Sequence, residues 1–118
     1  MYTMKIITKA IEHAFDKQGS TSNMSMDEIK IVMKLFNPMG AQTWYIYEHL
    51  KNGHSDDSYM AFVNMGDSEM AEMGLISLNE ILELRLPLGL KIERDKHFTP
   101  LSKTLRQVYD TVKAGGHV

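Results

Sequence analysis

Cysteine is absent from the chain, and with it go a disulfide frame, a thiolate zinc site and a cysteine nucleophile. That absence suits a reducing compartment. Long apolar runs are missing as well: the longest, Ile31 to Phe36, is already broken by Lys34, far short of the ~18 residues of a spanning helix. A membrane is therefore not an expected partner. Nor is there an excess of charge of one sign, because 13 Lys+Arg stand against 15 Asp+Glu for a formal charge of −2. This balance is far from the basic one that duplex binding by counterion release favours, so nucleic acid is not an expected partner either. It is also too mild for an acidic DNA mimic. Met1-Tyr2-Thr3-Met4-Lys5 lacks the basic-then-apolar order of an export signal, since Ile6-Ile7 is followed at once by Thr8-Lys9. The protein is expected to stay in the cytoplasm. Phosphate loops and nucleophile elbows are missing too: Gly74, Gly89 and Gly115-Gly116 stand apart, and no Gly-x-Ser-x-Gly or Gly-Lys-Ser/Thr string occurs. This argues against the usual nucleotide and serine hydrolases.

What is present reads as one globular domain over residues 1–118, 43% apolar and 24% charged, in the ordinary range for a soluble core. A chain of this length buries roughly two-thirds of the surface that its unfolded form exposes. Ile7, Ala10, Ile11, Ala14 and Phe15 recur at helical spacing, predicting a helix over Ile6 to Phe15 with Thr8 as cap. The polar stretch from Gln18 to Asn23 ends it. Between Glu28 and Phe36 apolar residues alternate, with Ile29, Ile31, Met33 and Leu35 on one face, which predicts a strand. Asn37-Pro38-Met39-Gly40 has turn chemistry, and an aromatic strand from Gln42 to Glu48 follows. After the polar stretch Lys51 to Ser58, with its Asn52-Gly53 hairpin pair, come strands from Tyr59 to Met65 and from Met73 to Ile76. Ser77-Leu78-Asn79-Glu80 is a capping box for a short helix reaching about Leu84. Pro87 and Gly89 stop that helix, and Lys91 to Phe98 is an irregular or extended charged segment. Thr99-Pro100 looks like a second helix start, with Leu101, Leu105, Val108 and Val112 on one stripe. The expected fold class is α+β: an antiparallel meander of three to five strands, with N-terminal, short middle and C-terminal helices packed on one face.

Three blocks carry a resemblance. Lys34-Leu35-Phe36-Asn37-Pro38 precedes Thr43-Trp44-Tyr45; Ala61-Phe62-Val63 leads to Met73-Gly74-Leu75-Ile76-Ser77-Leu78; and Pro87-Leu88-Gly89-Leu90 is followed by Ile92-Glu93-Arg94-Asp95 and His97-Phe98. Together they resemble a bacterial domain family of unknown function found mainly on plasmids, conjugative elements and phages. With a weaker match at Lys5-Ile6-Ile7-Thr8-Lys9, the resemblance covers about Lys5 to Lys103, which leaves the last helix as this chain's own. Leu86 stands where the family pattern has a Gly before the Pro, and Met39-Gly40-Ala41-Gln42 replaces a more polar turn. The resemblance implies a setting, a mobile element in a bacterial host cell, and no chemistry.

The densest set of functional side chains is Glu93-Arg94-Asp95-Lys96-His97. In an extended segment Glu93, Asp95 and His97 share a face, where two carboxylates and an imidazole can serve as acid, base or ligand. The simpler reading is structural, with Arg94 pairing a carboxylate or capping carbonyls. His49, His54, Asp56 and Asp57 superficially resemble a metal loop, but their spacing fits no standard motif, and a solvated loop is the better reading. Trp44, Tyr45 and Tyr47 make either a stacking platform or, more often in such strands, core and cross-strand pairs. Among the ten Met residues, Met60, Met65, Met70 and Met73 offer an adaptable surface or simple core filling, the latter favoured. No complete catalytic motif, metal site or cofactor signature emerges. The expectation is a non-catalytic module that binds a protein partner through residues such as Trp44, Tyr45, Glu93, Arg94, Asp95 and His97. The alternative is a small enzyme or ligand-binding protein using Glu93, Arg94, Asp95 and His97 in a pocket walled by Trp44 and Tyr45.

Overall fold

A computed structural model of the chain describes residues 6–51 and 53–118. Residues 1–5, on which the export-signal reading and Lys5 of the weaker match fall, and Asn52 of the Asn-Gly pair lie outside the described residues. The first helix, α1 (Lys9–Gln18), starts as its sequence dictates, with the Thr8 hydroxyl accepting from the Ile11 amide at 3.2 Å. It stops at Gly19, whose φ of 67° turns the chain while its N–H donates to Phe15 O.

Five strands follow: β1 (Met33–Phe36), β2 (Thr43–His49), β3 (Ser58–Asn64), β4 (Glu72–Ser77) and β5 (Glu93–Arg94). They form one open sheet in the order β4-β3-β2-β1-β5, every neighbour antiparallel. The first four make the expected meander, and β5 returns to close the far side of β1. With α2 (Leu78–Leu82) and α3 (Leu105–Lys113), the fold is α+β. No helix among the described residues is long and apolar enough to cross a membrane.

The helices are not gathered on one face, as the sequence suggested. Ile11, Ala14 and Phe15 of α1 and Leu78 and Ile81 of α2 pack with Met33, Leu35, Trp44, Ile46 and Ala61 on one face. Leu105, Val108 and Val112 of α3 pack with Tyr45, Tyr47 and Phe62 on the other. The cause lies in β2, where Trp44, Tyr45, Ile46 and Tyr47 are all buried. Successive strand residues point to opposite sides, so an apolar run demands cover on both. Each fully buried side chain of α3 contributes about 1.5–3 kcal/mol.

The expected strand from Glu28 to Phe36 is shortened to β1. Ile29 and Ile31 belong to the α3 side of the core, whereas Val32 and Met33 both belong to the α1 side, so the alternation slips between them. Before the slip the chain runs beside the 101–105 segment instead: Ile31 N donates to Lys103 O, Leu101 N to Ile31 O and Leu105 N to Ile29 O. Opposite it, β2 bulges at Tyr47, where its register with β3 shifts between Ile46 and Glu48. The Gln18 side chain spans the resulting gap, donating to Lys30 O at 2.7 Å and Tyr47 O at 2.5 Å and accepting from Lys30 N at 2.8 Å.

The start of the last helix also differs. Thr99-Pro100 opens a turn, with Ser102 N donating to Thr99 O and Leu101 at φ 64°. Thr104 is the cap, and with Gln107 it forms a reciprocal capping box. The Leu101 amide is already bonded across to Ile31, so Leu101 lies off the helical stripe. At α2 only half of the expected box forms: Ser77 Oγ accepts from Glu80 N at 3.3 Å but donates to the Asp57 carboxylate.

Candidate functional site

Glu93 and Arg94 form the two-residue edge strand β5, in register with Phe36 and Leu35 respectively. Paired residues share a face, so Arg94 projects to the α1 side with Leu35 and Trp44, and Glu93 to the α3 side. Asp95 stays on the ladder through its amide, which donates to Lys34 O at 2.9 Å, and then reverses the chain. Its carboxylate accepts from His97 N at 2.9 Å and lies 3.6 Å from Lys34 Nζ, while its carbonyl accepts from Phe98 N. Lys34 Nζ also donates to Val118 O and sits 5.8 Å from the Tyr45 ring centre. His97 is exposed beyond the turn. The structure thus brings Asp95, Lys34 and Tyr45 together but not Glu93, Arg94, Asp95 and His97. Arg94 forms none of the ion pairs among the described residues, and its Nε is buried without a partner.

Trp44 and Tyr45 are 4% and 3% exposed and face opposite sides of the sheet. Neither ring is available for stacking on a partner, and burial pushes the Tyr45 hydroxyl up from its ordinary range. His49 lies with its ring 4.3 Å from that of Tyr59, with Phe15 edge-on, and its Nε2 is 2.6 Å from Asp56 O. Asp57 accepts from the Ser77 and Ser55 hydroxyls, which hold its carboxyl below the usual range. The polar loop is thereby tied to the start of α2. No group of three metal-binding side chains forms among the described residues.

The His49–Tyr59 stack walls a cleft of about 350 Å³ against α1, lined also by Ile7, Glu12, Phe15, Asp16 and Lys51. Its ion pair, Lys51 to Asp16 at 2.7 Å, satisfies itself. Burial pushes the Tyr59 hydroxyl up to about 12, the charge of Asp57 adding to it. The cleft is an aromatic recess with Glu12 at its wall beside the Lys51–Asp16 pair.

The feature that sequence reasoning missed is the apolar exposure along and just before β4, a strand the sequence did predict. Met65, Met70 and Met73, expected to fill core, are exposed, and so is Leu75, at 60%. Met60 alone of that expected group packs partly against the core. The expected meander put this strand at an edge, but local alternation did not tell that its methionines and Leu75 would stay uncovered there. A second exposed apolar group is Leu88, 88% exposed in the Pro87-Leu88-Gly89-Leu90 loop.

A family described as "Protein of unknown function (DUF2958)" matches residues 6–118. The match therefore takes in the last helix, which the sequence had suggested was private to this chain. No curated protein and no solved structure matches the chain.

Proposed function

The chain belongs to that family, and from this premise we propose that it is a non-catalytic protein-binding module of the bacterial cytoplasm, an accessory protein of a mobile genetic element or phage that contacts a host or element-encoded protein. The genetic setting rests on the sequence resemblance. The contact rests on the contrast between the two edges of the sheet. β5 is two residues long and charged, and short charged edges are the usual protection against unwanted strand pairing. β4 is six residues long and presents Met73, Gly74, Leu75 and Ile76 in a row. An unprotected apolar edge of that length is an aggregation hazard unless it has an occupant. The test is capture from host lysate on immobilised protein beside a Leu75→Glu variant. A defined partner held by the native chain and lost from the variant is the expected result. Equal retention by both, or substrate turnover without a partner, overturns the reading.

The alternative of a small enzyme or ligand-binding protein using Glu93, Arg94, Asp95 and His97 has one observation in its favour, the partnerless Nε of Arg94. It predicts an anionic small molecule that raises the melting temperature of the native chain and not of Arg94→Gln.

A further inference from the structure

The hydrogen-bond parity of the sheet fixes which groups β4 offers to an occupant. β4 pairs with β3 in one unbroken register, Ser58 opposite Ser77 through Val63 opposite Glu72. Just beyond it Leu78 N donates to Asp57 O at 2.9 Å. Directly opposite residues exchange bonds at every second position. Tyr59–Ile76, Ala61–Gly74 and Val63–Glu72 are therefore the bonded pairs, and the N–H and C=O of Met73 and Leu75 point to the open side. On β3 the Leu50 N–H donating to Ser58 O gives the same parity, since it assigns the even-numbered residues to β2.

An added strand would place the side chains opposite Met73 and Leu75 on the α3 face, beside two exposed apolar groups. The alternate side chains would lie on the other face, beside Glu72, Gly74 and Ile76. Gly74 is informative there. Its φ is not in the left-handed region and a Cβ built on it meets nothing within 4 Å, so neither conformation nor packing within this chain requires glycine. Mid-strand glycine weakens a strand and often marks the close approach of another backbone. The charge around the edge is mainly negative: Asp67, Glu69 and Glu72 are exposed and enter no ion pair among the described residues. The nearby cation, Lys113, donates its Nζ to Glu69 O.

We propose that the β4 edge takes an extended segment of a partner protein in which apolar residues alternate with Lys or Arg, the apolar set meeting Met73 and Leu75 and the basic set meeting Glu72. This deepens the reading of the chain as a protein-binding module and rests on it. A second copy of this chain fits less well, because antiparallel self-pairing about Gly74 sets Glu72 opposite Ile76 and β4 brings no cation to meet it.

The probe is a ten-residue peptide of alternating valine and lysine, compared with one of valine and glutamate, followed by fluorescence anisotropy and amide exchange. The lysine peptide should bind, slow exchange at Met73 and Leu75, and weaken with salt. Glu72→Gln should weaken it about two- to five-fold. Leu75→Pro removes an outward N–H without breaking a bond to β3, and should abolish binding while the melting curve stays cooperative; should that variant unfold, Leu75→Lys replaces it, with reduced binding expected. Equal binding of the two peptides at Met73 and Leu75 overturns the basic-partner assignment and leaves the edge as the contact surface. Failure of both peptides to alter exchange there overturns the proposal, whereas lysate capture lost in Leu75→Glu would still uphold the broader function. Concentration-dependent dimerisation that Leu75→Pro abolishes assigns the edge to a second copy and also overturns it.

Discussion

Replacing Leu88 with Asn should stabilise the fold although it removes an apolar side chain. Leu88 has φ 62° and ψ 23°, the left-handed conformation, in a loop closed by Leu86 N to Leu90 O at 3.1 Å and Leu90 N to Pro87 O at 3.3 Å. An L-residue with a bulky side chain is strained there by about 1–2 kcal/mol, and Asn or Gly relieves most of it. Against this gain stands almost no lost burial, because the side chain is 88% exposed. The net for Leu88→Asn is about 1 kcal/mol of added stability, a rise in melting temperature of roughly 3–6 °C for a domain of this size. Leu88→Gly should gain less, since added freedom in the unfolded chain takes back about 0.5–1 kcal/mol. Leu101 is the internal control. Its φ of 64° is nearly the same, but its side chain packs against the α1-side core. Losing part of the about 1.5–3 kcal/mol of a buried leucine, together with about 1–3 kcal/mol for seating a polar amide against apolar neighbours, outweighs the relief of strain, so Leu101→Asn should lower the melting temperature. Urea and thermal denaturation of the two variants beside the native chain decide it. Destabilisation by Leu88→Asn, or stabilisation by both variants, would refute the reasoning.

Leu105 is 1% exposed at the start of α3, so Leu105→Asp should unfold the domain; a native-like melting curve would remove that helix from the core. Gln18→Ala leaves Lys30 and Tyr47 main-chain groups without their side-chain partner and should cost about 1–3 kcal/mol, with faster amide exchange localised at Lys30. Alkaline stability should depend on Tyr59, whose hydroxyl burial holds to about 12 against an ordinary 10.0. The unfolded chain loses this proton first, so the contribution is complete below about pH 10 and disappears as pH rises toward 12. Tyr59→Phe should flatten that limb of the pH–stability curve, and an unchanged limb would place the cause elsewhere.

Local signals carried the elements well and their arrangement poorly. Thr8, the Asn37-Pro38 turn and the aromatic run at Trp44 were legible because each acts through neighbours in the chain. Thr99-Pro100 misled because a cap-and-proline pair is a start signal only when the following amides are free for a helix, and Leu101 N is bonded to Ile31 O. The facing of Ile29 and Ile31 was lost to a single slip before Met33, which reverses the side of every residue upstream of it. The covering of both faces, by contrast, was written in the buried succession Trp44 to Tyr47 and could have been read from it.

The candidate site shows why side-chain density is a poor guide to chemistry. Glu93, Asp95 and His97 share a face only while the strand continues, and the Asp95 carboxylate ends it by taking the His97 amide. The charge that made the segment look reactive is what a short edge strand needs, since charged side chains discourage another chain from pairing with β5. The same requirement applied to the opposite edge goes unmet at Met73 and Leu75, where apolar side chains and outward backbone groups coincide. A sheet that protects one border with charge and leaves the other apolar has only one border on which a further strand can be added, and the physical case for a binding role therefore falls on β4 and not on the cluster around Arg94.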